Sequence, residues 1–280
     1  MYTIIAKELL APGLVRLDFT APRIASSALP GQFVIVRALE EGERVPLTIA
    51  ATDTAAGSVS IIFQTIGVST RQLGALSAGQ RLASATGPLG KPSEFFGAKR
   101  VLCVGGGVGT AVLYPQVTAL YRMGVPVDVV QGARSRDYLI LQNELGALCG
   151  QLILMTDDGS AGRKGFVTDA LRDLLAAGEA YDLCVAIGPP LMMRAVAEIT
   201  RPIGLRTVVS LNPIMLDGTG MCGCCRVQVG GQTKYACVDG PDFDGHQVDF
   251  DSLIRRLKGF VDEEQALNQQ HPCGGLYHGK

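Results

Sequence analysis

Hydrophobic and polar positions follow three different rhythms along the chain. Over the first hundred residues they alternate in short runs, TIIAKELL, LVRLDFT, GQFVIVRAL and SVSIIFQTI, broken by Pro, Gly and Asp-Thr. Short, closely spaced runs of this kind predict strands of an antiparallel barrel or sandwich. From Lys99 the strands become continuously apolar and alternate with helical stretches. RVLCVGG precedes TAVLYPQVTALYRM, VPVDVVQG precedes RDYLILQNELGAL, QLILMTDDG precedes GFVTDALRDLLAAG, and DLCVAIGPP precedes LMMRAVAEIT, with LRTVVSL last. Strands apolar on both faces, each followed by a helix, predict a parallel sheet covered on both sides. A third rhythm begins near Asn212, rich in Gly and Cys, with one hairpin, RVQV-GG-QTKYAC. A Gly-Gly connection favours a tight primed turn. If Gly230 and Gly231 form it, Val229 opposes Gln232 and Cys225 opposes Ala236. After Phe250 a short charged helix leads into a Gly- and Pro-containing end. The pattern therefore predicts a multidomain β plus α/β chain, divided into residues 1–97, 98–211, 212–250 and 251–280.

Composition narrows the function classes. The 280 residues carry a net charge of −1, which lacks the basic excess a sequence-independent nucleic-acid binder needs to displace counterions. Trp is absent and aromatics make up 6%, a poor stock for stacking single-stranded bases. At 47% hydrophobic the chain is too apolar for disorder. Lys7 and Glu8 stand where a secretory signal needs its apolar stretch, so a cytoplasmic location is expected. The stretch between Arg100 and Arg122 holds no charge and is long enough to span a bilayer, but GGGVG, Pro115 and Gln116 within it read as a strand, a glycine turn and a buried helix. No membrane insertion is expected.

Eight cysteines without a signal segment point to thiol or metal chemistry rather than a disulfide framework. Cys103, Cys149 and Cys184 sit in apolar runs and read as core; Cys273 stands alone. The other four surround the hairpin in the pattern Asp217-x4-Cys222-x2-Cys225-x11-Cys237, with Cys224 as an extra thiol. The glycines of DGTGMCGCC allow a short loop to wrap closely around a centre. Apart from Asp217 at its first position, this is the ligand spacing of a plant-type [2Fe–2S] cluster, and an anionic carboxylate preserves the charge of the thiolate it replaces. Three other readings compete: structural zinc, a reactive or disulfide pair, and Cys224 in place of Asp217 as fourth ligand.

VLCVGGGVGTA is a strand running through glycines into a helix, which can bring a helix N-terminus up to a phosphate. It is not the strict dinucleotide fingerprint, and tight helix–strand packing is the competing explanation. GPP at 188–190 repeats the theme at the end of another strand, so both loops are expected to face one crevice. Arg134 and Arg136 could meet a ribose phosphate or be solvated; Asp157 and Asp158 read as turn residues before a carboxylate pair. His246, His271 and His278 have no metal or triad spacing, and nothing supports nucleophilic hydrolysis.

Taken together, several segments resemble the ferredoxin–NADP reductase-like flavoproteins with a C-terminal [2Fe–2S] domain. RVPLTIA at 44–50 resembles their flavin motif, GVST at 67–70 the flavin pyrophosphate loop, and GPLG at 87–90 the segment closing the flavin barrel. VGGGVGTA resembles their nicotinamide loop and IGPPLMM their late C-G-P-x-x-M motif, with Ile187 at the Cys position. DGTGMCGCCRV, ACVDGP and DGHQVDFD resemble most specifically the small subunits of NADH-dependent ferredoxin:NADP oxidoreductases, with dihydroorotate dehydrogenase electron-transfer subunits as near relatives. The resemblance implies FAD at Arg44, Pro46, Leu47, Thr48, Gly67, Ser69, Thr70 and Gly87. It implies NAD(H) at Gly105, Gly106, Gly107, Gly109, Thr110, Gly188 and Pro189, and a [2Fe–2S] cluster on Asp217, Cys222, Cys225 and Cys237. Hydride would pass between NAD(H), preferred over NADPH, and FAD, and single electrons would pass through the cluster to a larger flavin and iron–sulfur subunit and through it to ferredoxin. The alternatives are an electron-transfer subunit for dihydroorotate oxidation and, from another class, a zinc-stabilised dinucleotide-binding regulator without redox turnover.

Overall fold

A computed structural model of the chain describes residues 2–270, so His271, Cys273 and His278 lie outside the described residues. The first sheet contains β1 (Tyr2–Ala11), β2 (Leu14–Thr20), β3 (Phe33–Arg37), β4 (Arg44–Asp53), β5 (Ser58–Gln64), β6 (Arg81–Leu82) and β7 (Ser84–Leu89). Its order is β6-β1-β2-β5-β4-β3-β7, all antiparallel. β6 and β7 lie at opposite edges yet are joined through Ala83, whose N–H bonds the Arg37 carbonyl at 2.9 Å, so the sheet curls into a barrel. Alternation sorts the faces as the sequence pattern requires. Val15, Leu17 and Phe19, Val34 and Val36, and Val59, Ile61 and Phe63 fill the interior. Two helices that the strand rhythm did not show, α1 (Pro22–Ser27) and α2 (Val68–Ala75), add Ile24, Ala25 and Leu73 to this core.

The second sheet contains β8 (Val101–Gly106), β9 (Val127–Ala133), β10 (Gln151–Thr156), β11 (Arg163–Lys164), β12 (Leu183–Ile187) and β13 (Thr207–Ser210), all parallel. Between them run α3 (Gly109–Arg122), α4 (Gln142–Gly146), α5 (Val167–Ala176) and α6 (Pro190–Thr200). Both faces are covered. Leu102 and Val104 pack under α5 and α6, while Val101 and Cys103 pack under α3 and α4. The uncharged stretch is thus a strand and a buried helix, and no helix among the described residues is long and apolar enough to cross a membrane. RDYLILQNELGAL departs from the helical expectation. Only α4 is α-helical there, because Ile140 is drawn into a patch against Ala11, Leu14, Ala50 and Ile62 of the barrel, and Leu141 turns to φ +55°. Tertiary burial outweighs local propensity here.

The remaining elements are β14 (Arg226–Val229), β15 (Gln232–Tyr235), α7 (Ala236–Asp239), β16 (Asp242–Asp244), α8 (Phe250–Leu257) and α9 (Val261–Gln270). The hairpin has the expected register, with Val229 opposite Gln232 and the Ala236 N–H on the Cys225 carbonyl at 3.1 Å. This segment is not a separate bead. β16 joins the parallel sheet antiparallel to β13, and Val227, Val229, Phe250 and Leu253 enter the core beneath α5 and α6. On its other side, Met215, Cys225, Ala236 and Cys237 pack on Phe33 and Ile35 of the barrel.

Candidate functional site

In the parallel sheet β8 is flanked by β9 on one side and β12 on the other, so the side on which successive strands are added switches about β8. Ligands of such sheets bind beyond the carboxyl ends of the strands at this switch point. A cavity of about 730 Å³ lies there, walled by Gly106, Gly107 and Pro189 from the sheet and by Gly13, Leu14 and Thr65 from the barrel. The two glycine loops therefore do share a crevice. Their glycines have different reasons. A Cβ on Gly109 would strike the Ile187 carbonyl, and one on Gly106 would strike Met192, so both serve close packing. Gly107, at φ +57° with open space beside it, leaves the loop backbone accessible to a ligand. Gly105 and Thr110 lie beneath the loop; Thr110 is fully buried and its hydroxyl oxygen has no hydrogen-bond partner among the described residues. Gly188 faces Met192 and the Gly106 backbone. The Arg134 guanidinium stacks over the Tyr138 ring at 3.7 Å in the cavity wall, beside Asp157. Arg136 and Asp158 are engaged in the turn instead. Ser160 Oγ accepts from the Arg136 N–H, and Ser160 bonds to Asp158 hold that carboxylate below its usual range.

β4 carries the next group. Its inward positions, Val45, Leu47 and Ile49, pack in the barrel, so the Leu47 side chain is set apart from Arg44, Pro46 and Thr48, which alternate onto the outer face. α2 and α3 both pack against this strand. Gly67 precedes α2, with its N–H on Thr70 Oγ1 at 3.0 Å, and Ser69 lies in the same first turn. A helix start of this kind presents backbone donors suited to a phosphate. Gly87 sits where a side chain would strike Val34 and the Phe33 carbonyl, so its lack of one serves the contact between β7 and β3.

The cysteine loop brings its donors together in two pairs. Cys225 Sγ and Cys237 Sγ lie 3.1 Å apart, both buried. The Asp217 carboxylate folds back on the loop, accepting from the N–H groups of Thr219 at 2.8 Å and Cys222 at 3.0 Å. These bonds hold it below its ordinary pKa, the Thr219 N–H contributing most. Burial and the neighbouring Cys225 thiol push Cys237 up, while the Gly220 N–H bonded to it and the charge of Asp217 act in opposite directions. Gly218, Gly220 and Gly223 all have positive φ, which lets so short a loop close on itself. Cys222 is exposed and Cys224 half-buried. Among the described residues no three His, Cys, Asp or Glu side chains gather as a single ion's ligands. Thiols and a carboxylate of this kind are donors that would suit an iron–sulfur cluster better than a single tetrahedral ion.

Comparison with known proteins identifies the segment that carries this loop. Residues 212–249 match the iron–sulfur cluster binding domain of dihydroorotate dehydrogenase B. A Thermotoga maritima protein named as a dihydroorotate dehydrogenase B (NAD(+)) electron transfer subunit homolog is 45% identical over 262 residues, covering 94% of this chain and 92% of that protein. The Desulforamulus reducens electron transfer subunit of the same name is 31% identical over 256 residues, 88% of this chain and 96% of its own. The chain belongs to the dihydroorotate dehydrogenase B electron-transfer subunit family. A solved member of this wider group, a chain of the NADH-dependent reduced ferredoxin-NADP oxidoreductase structure, superposes with a TM-score of 0.91 at 42% identity, covering 97% of this chain and 98% of that one.

Family membership makes some residues that the sequence pattern passed over informative. Phe33 and Ile35 link the cysteine pair to β4; their alternation with Val34 and Val36 was visible, but nothing local told which face would meet the cysteines. Asp242, bonded by Ser93 Oγ at 2.6 Å and Gln116 Nε2 at 3.3 Å, ties the interdomain linker, α3 and β16 together. No spacing rule could have found it, since Ser93 and Gln116 lie more than a hundred residues away in the chain.

Proposed function

We propose that this chain is the electron-transfer subunit of a larger flavin and iron–sulfur enzyme, exchanging hydride between NAD(H) and FAD and passing electrons singly through a [2Fe–2S] cluster. The carrying observation is one of register. Phe33 pairs with Thr48 and Ile35 with Pro46 across adjacent antiparallel strands. Paired residues share a sheet face, and neighbouring strands lie only about 5 Å apart. Phe33 and Ile35 pack against Cys225 and Cys237, so the flavin residues and the cluster residues occupy one outer face of the barrel, side by side.

When bound, FAD exchanges electron pairs with the nicotinamide while the cluster moves them one at a time, which is the chemistry the protein itself lacks. The chain's own residues bind and orient. Arg44, Pro46 and Thr48 would hold the flavin, and Gly67, Ser69 and Thr70 its pyrophosphate. Gly107 and the cavity between barrel and parallel sheet would admit the nicotinamide. Cys225 with Cys237, and Asp217 with Cys222, would each hold one iron. Residues 1–97, 98–211 and 212–250 then serve as flavin, nicotinamide and cluster units, with 251–280 as the C-terminal helix and tail. No protein acid or base is needed for hydride transfer.

The likeness to the NADH-dependent reduced ferredoxin-NADP oxidoreductase chain supports NADH in preference to NADPH and ferredoxin as a distant electron carrier, and the relatives' names as electron transfer subunits support a larger partner subunit; a cytoplasmic location is part of the same reading. The names of the curated relatives support dihydroorotate oxidation as the second reading. Co-purification separates them: a partner that reduces the chain with dihydroorotate favours the second, and one that couples NADPH to ferredoxin favours the first. Iron, zinc and flavin contents of anaerobically purified protein test the whole reading, with one FAD and two irons per chain expected; zinc without iron would replace it by a non-redox regulator.

A further inference from the structure

The match to the cluster-binding domain stops at residue 249, and α8 begins at Phe250. Yet α8 is fixed firmly to the cluster loop. Asp249 caps it by accepting from the Ser252 N–H at 2.9 Å, Phe250 and Leu253 are buried beside Val227 and Val229, and Asp251 is paired with Arg194 at 2.8 Å. From the last turn of this helix Arg256 reaches back, and its Nη2 donates to the Cys224 carbonyl at 2.9 Å. On the adjoining residue Arg226 Nη1 donates to the Gly223 carbonyl at 3.0 Å. Two guanidiniums from different elements therefore hold consecutive carbonyls of the loop between Cys222 and Cys225. Among the described residues neither Arg226 nor Arg256 has an ion-pair partner.

We propose that Arg256, with Arg226, is a positioning and tuning residue for the cluster, its guanidinium on the loop carbonyl favouring arrival of the electron. The proposal rests on the reading that this loop holds a [2Fe–2S] cluster. Three thiolates and a carboxylate outweigh the positive charge of an iron and sulfide core, so the site is net negative and becomes more so on reduction. A fixed positive charge alongside stabilises the reduced form more than the oxidised one. The half-buried Arg256 is screened less by water and salt than a free surface charge. Arginine suits this role because it stays charged and its planar fork holds direction.

The test is a redox titration of the intact flavin- and iron-loaded chain, followed by electron paramagnetic resonance for the cluster and by absorbance for the flavin, after iron content has been measured. Arg256→Gln and Arg226→Gln are expected to keep iron and to move the cluster potential to more negative values. The fraction of reduced cluster at a fixed NADH/NAD ratio should fall severalfold, with the flavin potential unmoved. Arg256→Lys, which keeps the charge, should stay near wild type. An unchanged cluster potential in Arg256→Gln overturns the proposal, as do equal shifts in the Gln and Lys variants or loss of iron from both. Wild-type protein without iron would instead overturn the cluster reading on which it rests.

Discussion

Asp217 offers the sharpest contrast between two chemistries at one position. Its carboxylate is already turned onto the loop, bonded to the Thr219 and Cys222 N–H groups. Asp217→Cys should keep the cluster and lower its potential, because a thiolate donates more electron density than a carboxylate. Asp217→Ala should weaken iron binding. If Cys224→Ala loses iron while Asp217→Ala retains it in full, the fourth ligand is Cys224. Asp242 makes a different residue-scale test. Burial raises its pKa against the opposing bonds from Ser93, Ser210 and Gln116, and among the described residues its Oδ1 and the Gln116 Oε1 have no hydrogen-bond partner. The native state therefore holds this proton more tightly than the unfolded chain does. Stability falls as pH rises from the ordinary carboxylate range through the raised pKa, and stays lower above it. Asp242→Asn removes that loss, so its thermal midpoint relative to wild type should be more favourable at about pH 8 than at about pH 4. The same relative midpoint at both pH values would contradict this. The cysteine spacing was legible because metal ligands must recur at loop-sized intervals; Asp242 was not, because a buried polar junction leaves no periodic trace.

Among the elements, α3 depends on a glycine for its seat. Gly109→Ala would drive a methyl into the Ile187 carbonyl at the end of β12, and overpacking of this kind costs about 1–3 kcal/mol. A fall in unfolding free energy of that size, read as a lower urea midpoint, with slower flavin reduction by NADH, is expected. At the other end of the chain α9 is polar and mostly exposed, with Val261 and Asn268 half-buried. Asn268 Oδ1 accepts from Arg71 Nη2 at 2.7 Å, and Arg71 Nη1 donates to the Ile66 carbonyl at 3.0 Å, at the entrance to α2. Asn268→Ala should change global stability by no more than about 0.5 kcal/mol while speeding hydrogen exchange over residues 64–72. Unchanged exchange there would show that α9 does not steady the loop. Strand and helix order through the parallel sheet followed directly from continuous apolar runs, which only a doubly covered sheet explains. α4 did not, because Ile140 and Leu141 are placed by the barrel and not by their own neighbours in sequence.

At the scale of the molecule, the barrel, the sheet and the cysteine loop are joined so that the cavity between barrel and sheet, β4 and the cysteine loop follow one another; the proposed function assigns these to nicotinamide, flavin and cluster in turn. The loop then opens outward. Met221 is 89% exposed, with Leu216 and Val238 also exposed, an apolar rim suited to a partner that must bring its own cofactor near the cluster. Met221→Glu should leave NADH-driven dye reduction intact and abolish transfer to a partner subunit; Gly223, at φ +67°, would confound the same test with backbone strain. The central claim is that flavin and cluster share one face of the barrel within a single chain. Anaerobic titration of the isolated, iron- and flavin-loaded protein with NADH, read by visible absorbance and electron paramagnetic resonance, tests it most directly. Bleaching of the flavin accompanied by a reduced-cluster signal approaching one spin per chain, without any partner present, is the expected result. A flavin that bleaches fully with excess NADH, while a cluster that dithionite reduces in the same preparation gives no signal, would contradict it.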